Sequence, residues 1–273
     1  MSGNANPLVE ARGISVSLPD LTRKPLLRAA PRIDVLTRVS FAIERGEVLG
    51  IVGGSGSGKT TLGRTLLRLI EPQAGHLFFD GIEIGRLPDI SLRPFRRRLQ
   101  MIFQDPMSSL NPRRMVYGII AGPLRLHGYP DIQDRVEKAM TQVGLSYRLR
   151  HRFPHELSGG QRQRVGIARA IALDPEFIVA DEIVSGLDVL TQAQVINLLE
   201  GLVADLGLTL AFISHDLSVV RRLCARVLVL SKGEVAELAP TSEIFECPKH
   251  PVTRGLLDAI PLPDPEQKNW KAF

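Results

Sequence analysis

Between Leu8 and Leu18 the stretch LVEARGISVSL alternates apolar and polar side chains, and VLTRVSFAIERG repeats that pattern from Val35. A period of two is the signature of a half-buried strand, so the two stretches predict an antiparallel layer near the N-terminus, joined by a Pro- and Arg-rich connection from Pro19 to Pro31. A different pattern follows. EVLGIVG is almost continuously apolar, as in a strand buried on both faces of a parallel sheet, and it leads through a glycine loop into the helical stretch KTTLGRTLLRLI. LQMIF, EFIVAD, TLAFIS and RVLVLS are further apolar runs of strand length, and from residue 165 they alternate with amphipathic helical stretches. This rhythm predicts a largely parallel α/β sheet. It is interrupted between residues 105 and 157, where IQDRVEKAMTQVG sets Ile132, Val136, Met140 and Val143 on one helical face and predicts a helical insertion. Beyond about residue 238 the chain turns polar and proline-rich, with a short helix expected from Pro251 to Ile260.

Composition narrows this picture only modestly. The 273 residues, 44% apolar, suffice for one large domain or two small ones. An excess of 34 basic over 29 acidic side chains gives +5, which suits an anionic ligand or a membrane-adjacent surface and is too weak to imply nucleic acid. The basic run RPFRRR, Arg93 to Arg98, has no aromatic stacking array beside it and is expected to be a solvated face near Gln104. Cys224 and Cys247 form no CxxC pair; His250 lies near Cys247, but two reduced thiols are the simpler reading than a zinc site. The opening residues MSGNANPLVE lack a basic segment followed by an apolar one, and no uncharged apolar run approaches the ~20 residues that cross a bilayer. A soluble intracellular protein is expected, reaching a membrane only through a partner.

Two stretches carry phosphate chemistry. GGSGSGKTT, residues 53 to 61, fits GxxxxGK[ST] through Gly53, Gly58, Lys59 and Thr60, between an expected strand and an expected helix. Glycines at Gly53, Gly54, Gly56 and Gly58, with Ser55, Ser57 and Thr61, let backbone N–H groups turn toward phosphate oxygens at a helix N-terminus. Lys59 then reaches the outer phosphates and Thr60 offers a hydroxyl to Mg²⁺. Kinases, GTPases and motors share this loop, and a ligand-free glycine loop is the bland alternative. EFIVADE ends an apolar strand in two carboxylates. Strand alternation predicts opposite faces for Asp181 and Glu182, with Asp181 suited to the metal and Glu182 to the attacking water.

A second glycine pair needs its own explanation. In LSGGQRQRVGIARA, Ser158 is placed as an N-cap, and the amides of Gly159 and Gly160 sit where a helix binds anions, ahead of Gln161. A second cradle makes sense if it contacts the terminal phosphate from the other side. LSGGQ, a basic helix and then a strand ending in Asp-Glu resemble the signature of the ATP-binding cassette (ABC) ATPases. The resemblance implies a P-loop NTPase, RecA-like α/β core with an N-terminal antiparallel β layer and an inserted α-helical subdomain. It implies ATP and Mg²⁺ as ligands and a head-to-tail pair of cassettes, identical or homologous, in which one signature closes over the ATP of the other. It implies that Gln104 in MIFQDP touches metal and water and reports to a membrane partner, that His215 in FISHD is the switch histidine on the γ-phosphate, and that SGLD, Ser185 to Asp188, crosses the dimer seam.

The resemblance extends into the tail. FECPKHPVTRGLLDAIP, residues 245 to 261, and FQDPMSSLNPR resemble ATPase subunits of oligopeptide, dipeptide and nickel importers. This implies an ATPase domain over 1–238 and an importer-type tail over 239–273. It also implies transmembrane permease subunits, an extracytoplasmic solute-binding protein acting indirectly, and a peripheral place on the cytoplasmic face of the inner membrane. Three positions depart from the family. Ile183 and Val184 replace a usual Pro-Thr after the carboxylates, and Leu18 stands where an aromatic is expected to stack on adenine, with Phe41 read as core. Two cysteines cannot supply the four-cysteine iron–sulfur ligand set of some relatives, so no cluster is expected. Rival readings are a soluble cassette ATPase acting on DNA or ribosomes, against which stand the lack of a long coiled coil and of a second cassette, and a regulator with a dead site, against which stands the set Lys59, Asp181, Glu182 and His215.

Overall fold

The computed structural model describes residues 6–20 and 31–259. Most of the Pro19–Pro31 connection, Ile260 and everything after it lie outside the described residues. In chain order the strands are β1 (Val9–Pro19), β2 (Arg32–Ile43), β3 (Val48–Val52), β4 (Ala74–Phe79), β5 (Ile82–Glu83), β6 (Leu99–Ile102), β7 (Phe177–Asp181), β8 (Thr209–Ile213), β9 (Arg226–Ser231) and β10 (Glu234–Pro240). The helices are α1 (Lys59–Leu66), α2 (Asp89–Arg96), α3 (Pro106–Ser109), α4 (Val116–Leu126), α5 (Ile132–Gln142), α6 (Gly159–Ile171), α7 (Val189–Leu206), α8 (Leu217–Leu223), α9 (Thr241–Glu246) and α10 (Pro251–Asp258).

Two sheets form. The smaller is antiparallel in the order β2-β1-β4-β5, and the larger runs β10-β9-β3-β8-β7-β6, parallel throughout except for the antiparallel edge strand β10. The apolar runs explain the larger sheet. Every residue of β3, β7 and β8 is buried, and successive side chains enter opposite cores. Leu49, Ile51, Phe177, Val179, Ala211 and Ile213 face the core shared with the antiparallel layer and α1. Val48, Val52, Ile178, Ala180, Leu210 and Phe212 face the core shared with the remaining helices. Helix α1 lies so close to the sheet that a Cβ on Gly63 would stand 2.7 Å from Ile213 Cδ1 and 2.9 Å from Val179 Cγ1.

Among the described residues, 105–157 contain helices and no strand. Val136, Met140 and Val143 are buried on the expected face, and Ile132 packs against the same core. The arginines of α6 hold this region by its carbonyls: Arg162 donates to Leu157 O at 2.5 Å, Arg164 to Val143 O at 2.7 Å and Arg169 to Ser109 O at 2.6 Å.

The run Arg93–Arg98 departs from the expected solvated face. Arg93 and Arg97 are exposed, but Arg96 donates to Leu67 O at 2.6 Å and to Arg68 O at 3.0 Å. Arg98 lies over the Phe79 ring and grips Glu176 through Nε at 2.5 Å and Nη2 at 2.9 Å, and also Asp80 at 2.6 Å. Arg45 bridges the same two carboxylates, so the four charges tie the end of β4 to the start of β7. Hydrogen bonds from Arg98 hold both the Asp80 and the Glu176 carboxyl below their usual ranges. Depressed carboxylates stabilise the fold fully above their unfolded values, ~3.9 and ~4.3, and lose that contribution as pH falls through the lower folded values. Arg98→Ala should therefore cost about 1 kcal/mol at pH 7, a figure already reduced for partial exposure. In urea denaturation the gap to wild type should narrow below about pH 4; a gap independent of pH would show that packing on Phe79, not charge, is what Arg98 contributes.

Candidate functional site

The phosphate loop starts where β3 ends. Gly53, Gly56 and Gly58 adopt φ of 156°, 72° and 103°. A Cβ on Gly53 would stand 2.2 Å from Leu230 O and one on Gly58 2.9 Å from Val35 O, so only glycine fits both positions. Lys59 opens α1 and folds its Nζ back onto Gly53 O at 2.8 Å and Gly54 O at 3.0 Å. Its burial pushes the ammonium below the usual lysine range, opposed by the negative charges of Glu182 and Asp181. The loop, Thr60, Thr61, Val35 and Glu182 enclose a cavity of about 320 Å³.

Asp181 ends β7, and its Oδ1 accepts a hydrogen bond from Thr60 Oγ1 at 3.2 Å. Burial raises the Asp181 carboxyl above the usual range, with the Thr60 bond pulling against it. Glu182 departs from its sequence-based rationale. It lies beyond the strand with φ of 46°, so the two carboxylates are separated by a left-handed backbone turn and not by strand alternation. The turn is held by Glu182 N–H donating to Ile213 O at 2.9 Å and by Ser185 Oγ donating to Glu182 O at 2.7 Å. Gln104 Nε2 donates to Glu182 Oε2 at 2.9 Å, and His215 Nδ1 stands 3.6 Å from the same oxygen. Ile183 and Val184 are buried in the helical core, which gives the departure from Pro-Thr a packing role.

Lys59, Thr60, Asp181, Glu182, Gln104 and His215 thus converge, while the second glycine pair lies elsewhere. Ser158 caps α6, its Oγ accepting from Gln161 N–H at 3.3 Å while Gln161 Oε1 accepts from Ser158 N–H at 3.0 Å. With this reciprocal cap in place Ser158 is exposed and Gly159 and Gly160 are half-buried. Asp188 caps α7, accepting from Thr191 N–H at 3.0 Å and Thr191 Oγ1 at 2.7 Å. The two caps are neighbours, since a Cβ on Gly160 would meet Thr191 Cγ2 at 2.6 Å. None of Ser158, Gly159, Gly160, Gln161 or Asp188 lines the cavity of this chain.

Sequence reasoning missed two contributors. Val35 of β2, not Leu18, lines the cavity; Leu18 packs half-buried against the antiparallel layer's core, where Phe41 is buried. Asp216 accepts from Ser218 N–H at 3.0 Å and Gln192 Nε2 at 2.9 Å, fixing the residue after His215. An Asp opening the helical stretch LSVV was the available capping signal. The donor set of Thr60 hydroxyl, Asp181 carboxylate and Gln104 amide oxygen is all hard oxygen, which fits Mg²⁺.

The model of the family described as "ABC transporter" matches residues 36–185, and that described as "Oligopeptide/dipeptide transporter, C-terminal region" matches 236–273. The chain is 51% identical to the oligopeptide transport ATP-binding protein OppF of Bacillus subtilis, over 84% of this chain and 76% of that one. It is 45% identical to the oligopeptide transport ATP-binding protein AppF of the same organism, over 96% and 80%. Among solved structures, a dimeric ATP-binding cassette in a post-hydrolysis state with ADP and phosphate superposes with a TM-score of 0.75 at 29% identity, covering 85% of this chain and 98% of its own. By these matches the chain belongs to the ABC transporter family and is an ATP-hydrolysing member of it.

Proposed function

We propose that the chain powers a membrane importer of peptides, working as one half of a head-to-tail cassette pair on the cytoplasmic face of the membrane. The observation that carries this reading is the Gln104–Glu182–His215 contact beside a lysine-closed phosphate loop, in a chain whose signature residues do not line its own cavity. A cradle outside that cavity is chemically useful when a second cassette presents its nucleotide to it. The relatives' names and the tail family support peptides as the transported class. The permease subunits, and an external solute-binding protein acting through them, are the partners this reading requires. Residues 1–238 serve as the ATPase domain, with the helical insertion about 105–157, and 239–273 as the importer-type tail.

In this reading Lys59 leaves the Gly53 and Gly54 carbonyls for the β- and γ-phosphates, while the loop amides and the N-terminus of α1 hold the phosphate oxygens. Thr60, Asp181 and Gln104 would hold Mg²⁺, which would supply charge neutralisation on the phosphoryl oxygens. Glu182, oriented by Gln104 and His215, accepts a hydrogen bond from the attacking water and aligns it with the γ-phosphorus. His215 also faces the γ-phosphate, and the partner's signature closes the other side. Gln104 begins the loop into α3 and α4, so a change at the carboxylate reaches the helical insertion through one short segment.

Glu182→Gln should slow turnover by roughly 10² to 10⁴ while ATP still binds, measured as phosphate release against fluorescent nucleotide titration; unchanged turnover would remove Glu182 from this role. Asp181→Asn should raise the Mg²⁺ concentration for half-maximal turnover by about tenfold or more, with nucleotide binding in chelator unaffected. An unchanged Mg²⁺ requirement would take Asp181 out of the metal set.

A further inference from the structure

Asp216, the residue after His215, uses its two carboxylate oxygens for different tasks. Oδ1 caps α8 from within the same stretch, accepting from Ser218 N–H at 3.0 Å, Ser218 Oγ at 2.5 Å and Val219 N–H at 3.4 Å. Oδ2 accepts from Gln192 Nε2 of α7 at 2.9 Å, and among the described residues this is the one bond that the carboxylate takes from another element. Burial pushes the Asp216 carboxyl up, and the bonds from Ser218 and Gln192 more than reverse it, so the group accepts as a charged carboxylate.

The first turn of α7 places Gln192 for this bond. Its N–H donates to Asp188 O at 2.8 Å, and Asp188 caps the same turn through Thr191 N–H and Thr191 Oγ1. Thr191 lies against the signature, where a Cβ on Gly160 would meet its Cγ2 at 2.6 Å. One turn of helix therefore touches the signature through Thr191 and the His215 loop through Gln192. The imidazole at the end of this path is loosely held. His215 is 64% exposed, and its Nδ1 stands 3.6 Å from Glu182 Oε2, beyond hydrogen-bond distance, whereas Gln104 Nε2 reaches the same oxygen at 2.9 Å. Its place beside Glu182 then depends on the backbone that carries it. Asp216 anchors that backbone, since its N–H donates to Ser214 Oγ at 3.0 Å and its bonds thus span both sides of His215.

We propose that Gln192 is a positioning residue for hydrolysis: its bond to Asp216 holds the His215 loop in place and ties it to the turn of α7 that packs on the signature. The inference rests on the role given to His215 above. Because ground-state phosphate binding depends on Lys59 and the amides of α1, losing the bond lowers kcat and leaves the KM for ATP nearly untouched.

The test combines steady-state ATPase kinetics with the NMR signals of the histidine rings, His215 being assigned by the signal that His215→Ala removes; thermal unfolding midpoints check folding. Gln192→Met keeps the length of the side chain and deletes the donor, and should lower kcat about fivefold with KM within about twofold. Gln192→Glu, of the same shape but with a carboxylate facing Asp216, should lower kcat at least as far and is the second route if the Met variant folds poorly. Gln192→Lys restores a donor and should bring kcat back to within about twofold of wild type, a recovery that a packing role would not give. In the His215→Ala background Gln192→Met should add almost nothing, because it acts through a side chain already removed. The His215 ring signal should shift in Gln192→Met. An unchanged kcat in both Gln192→Met and Gln192→Glu, multiplicative losses in the double variant, or an unmoved His215 signal would overturn the proposal while leaving the reading of His215 intact. If His215→Ala alone leaves kcat unchanged, the reading of His215 is what fails, and the proposal falls with it.

Discussion

Parallel hydrogen bonding among β6, β7, β8 and β3 decides where the chemistry of this chain sits. The ladder aligns Ile102 with Ala180, Asp181 with Ile213, and Ile213 with Ile51, so four strands end at one level. From those ends come Gln104, Asp181 and Glu182, His215, and the phosphate loop with Lys59 and Thr60. In an open parallel sheet this edge is where a crevice forms and loops can meet a ligand. Because side chains alternate along a strand, a slip of one residue in any of these pairs would exchange its two cores and turn its terminal groups away from the cavity. The apolar faces of the same strands, buried on both sides, hold the register that the polar ends require.

The site concentrates charge at low solvent exposure, and the neighbours determine what it costs. Lys59 is pulled toward neutrality by burial and returned toward its charged form by Glu182 and Asp181; Asp181 is pushed up by burial and held down by Thr60. Lys59 is held by the Gly53 and Gly54 carbonyls of its own loop, while Thr60 with Asp181 and Gln104 with Glu182 join different strand ends.

Much of this could be read from the chain. The buried strands β3, β7 and β8 and the capped start of α6 are local patterns, and apolar runs and a Ser-Gly-Gly before a basic helix are direct signals of them. What could not be read depends on partners distant in sequence. Strands β5 and β10 have no apolar run of their own and exist because β4 and β9 pair with them. The inward turn of Arg96 and Arg98 answers carbonyls and carboxylates on other elements. The left-handed Glu182 is a backbone choice that no side-chain pattern announces, and Val35 reaches the cavity because β2 lies against the β9–β10 turn, where Thr37 N–H donates to Gly233 O at 2.8 Å.

The proposed function requires a nucleotide shared between Lys59 of one cassette and the capped α6 of another. The most direct measurement is a structure of the ATP- and Mg²⁺-loaded Glu182→Gln chain in its assembled form. Ser158 and the amides after it should lie within hydrogen-bond distance of the γ-phosphate bound by the opposite Lys59. Ser158 remote from every nucleotide in that assembly would contradict the account.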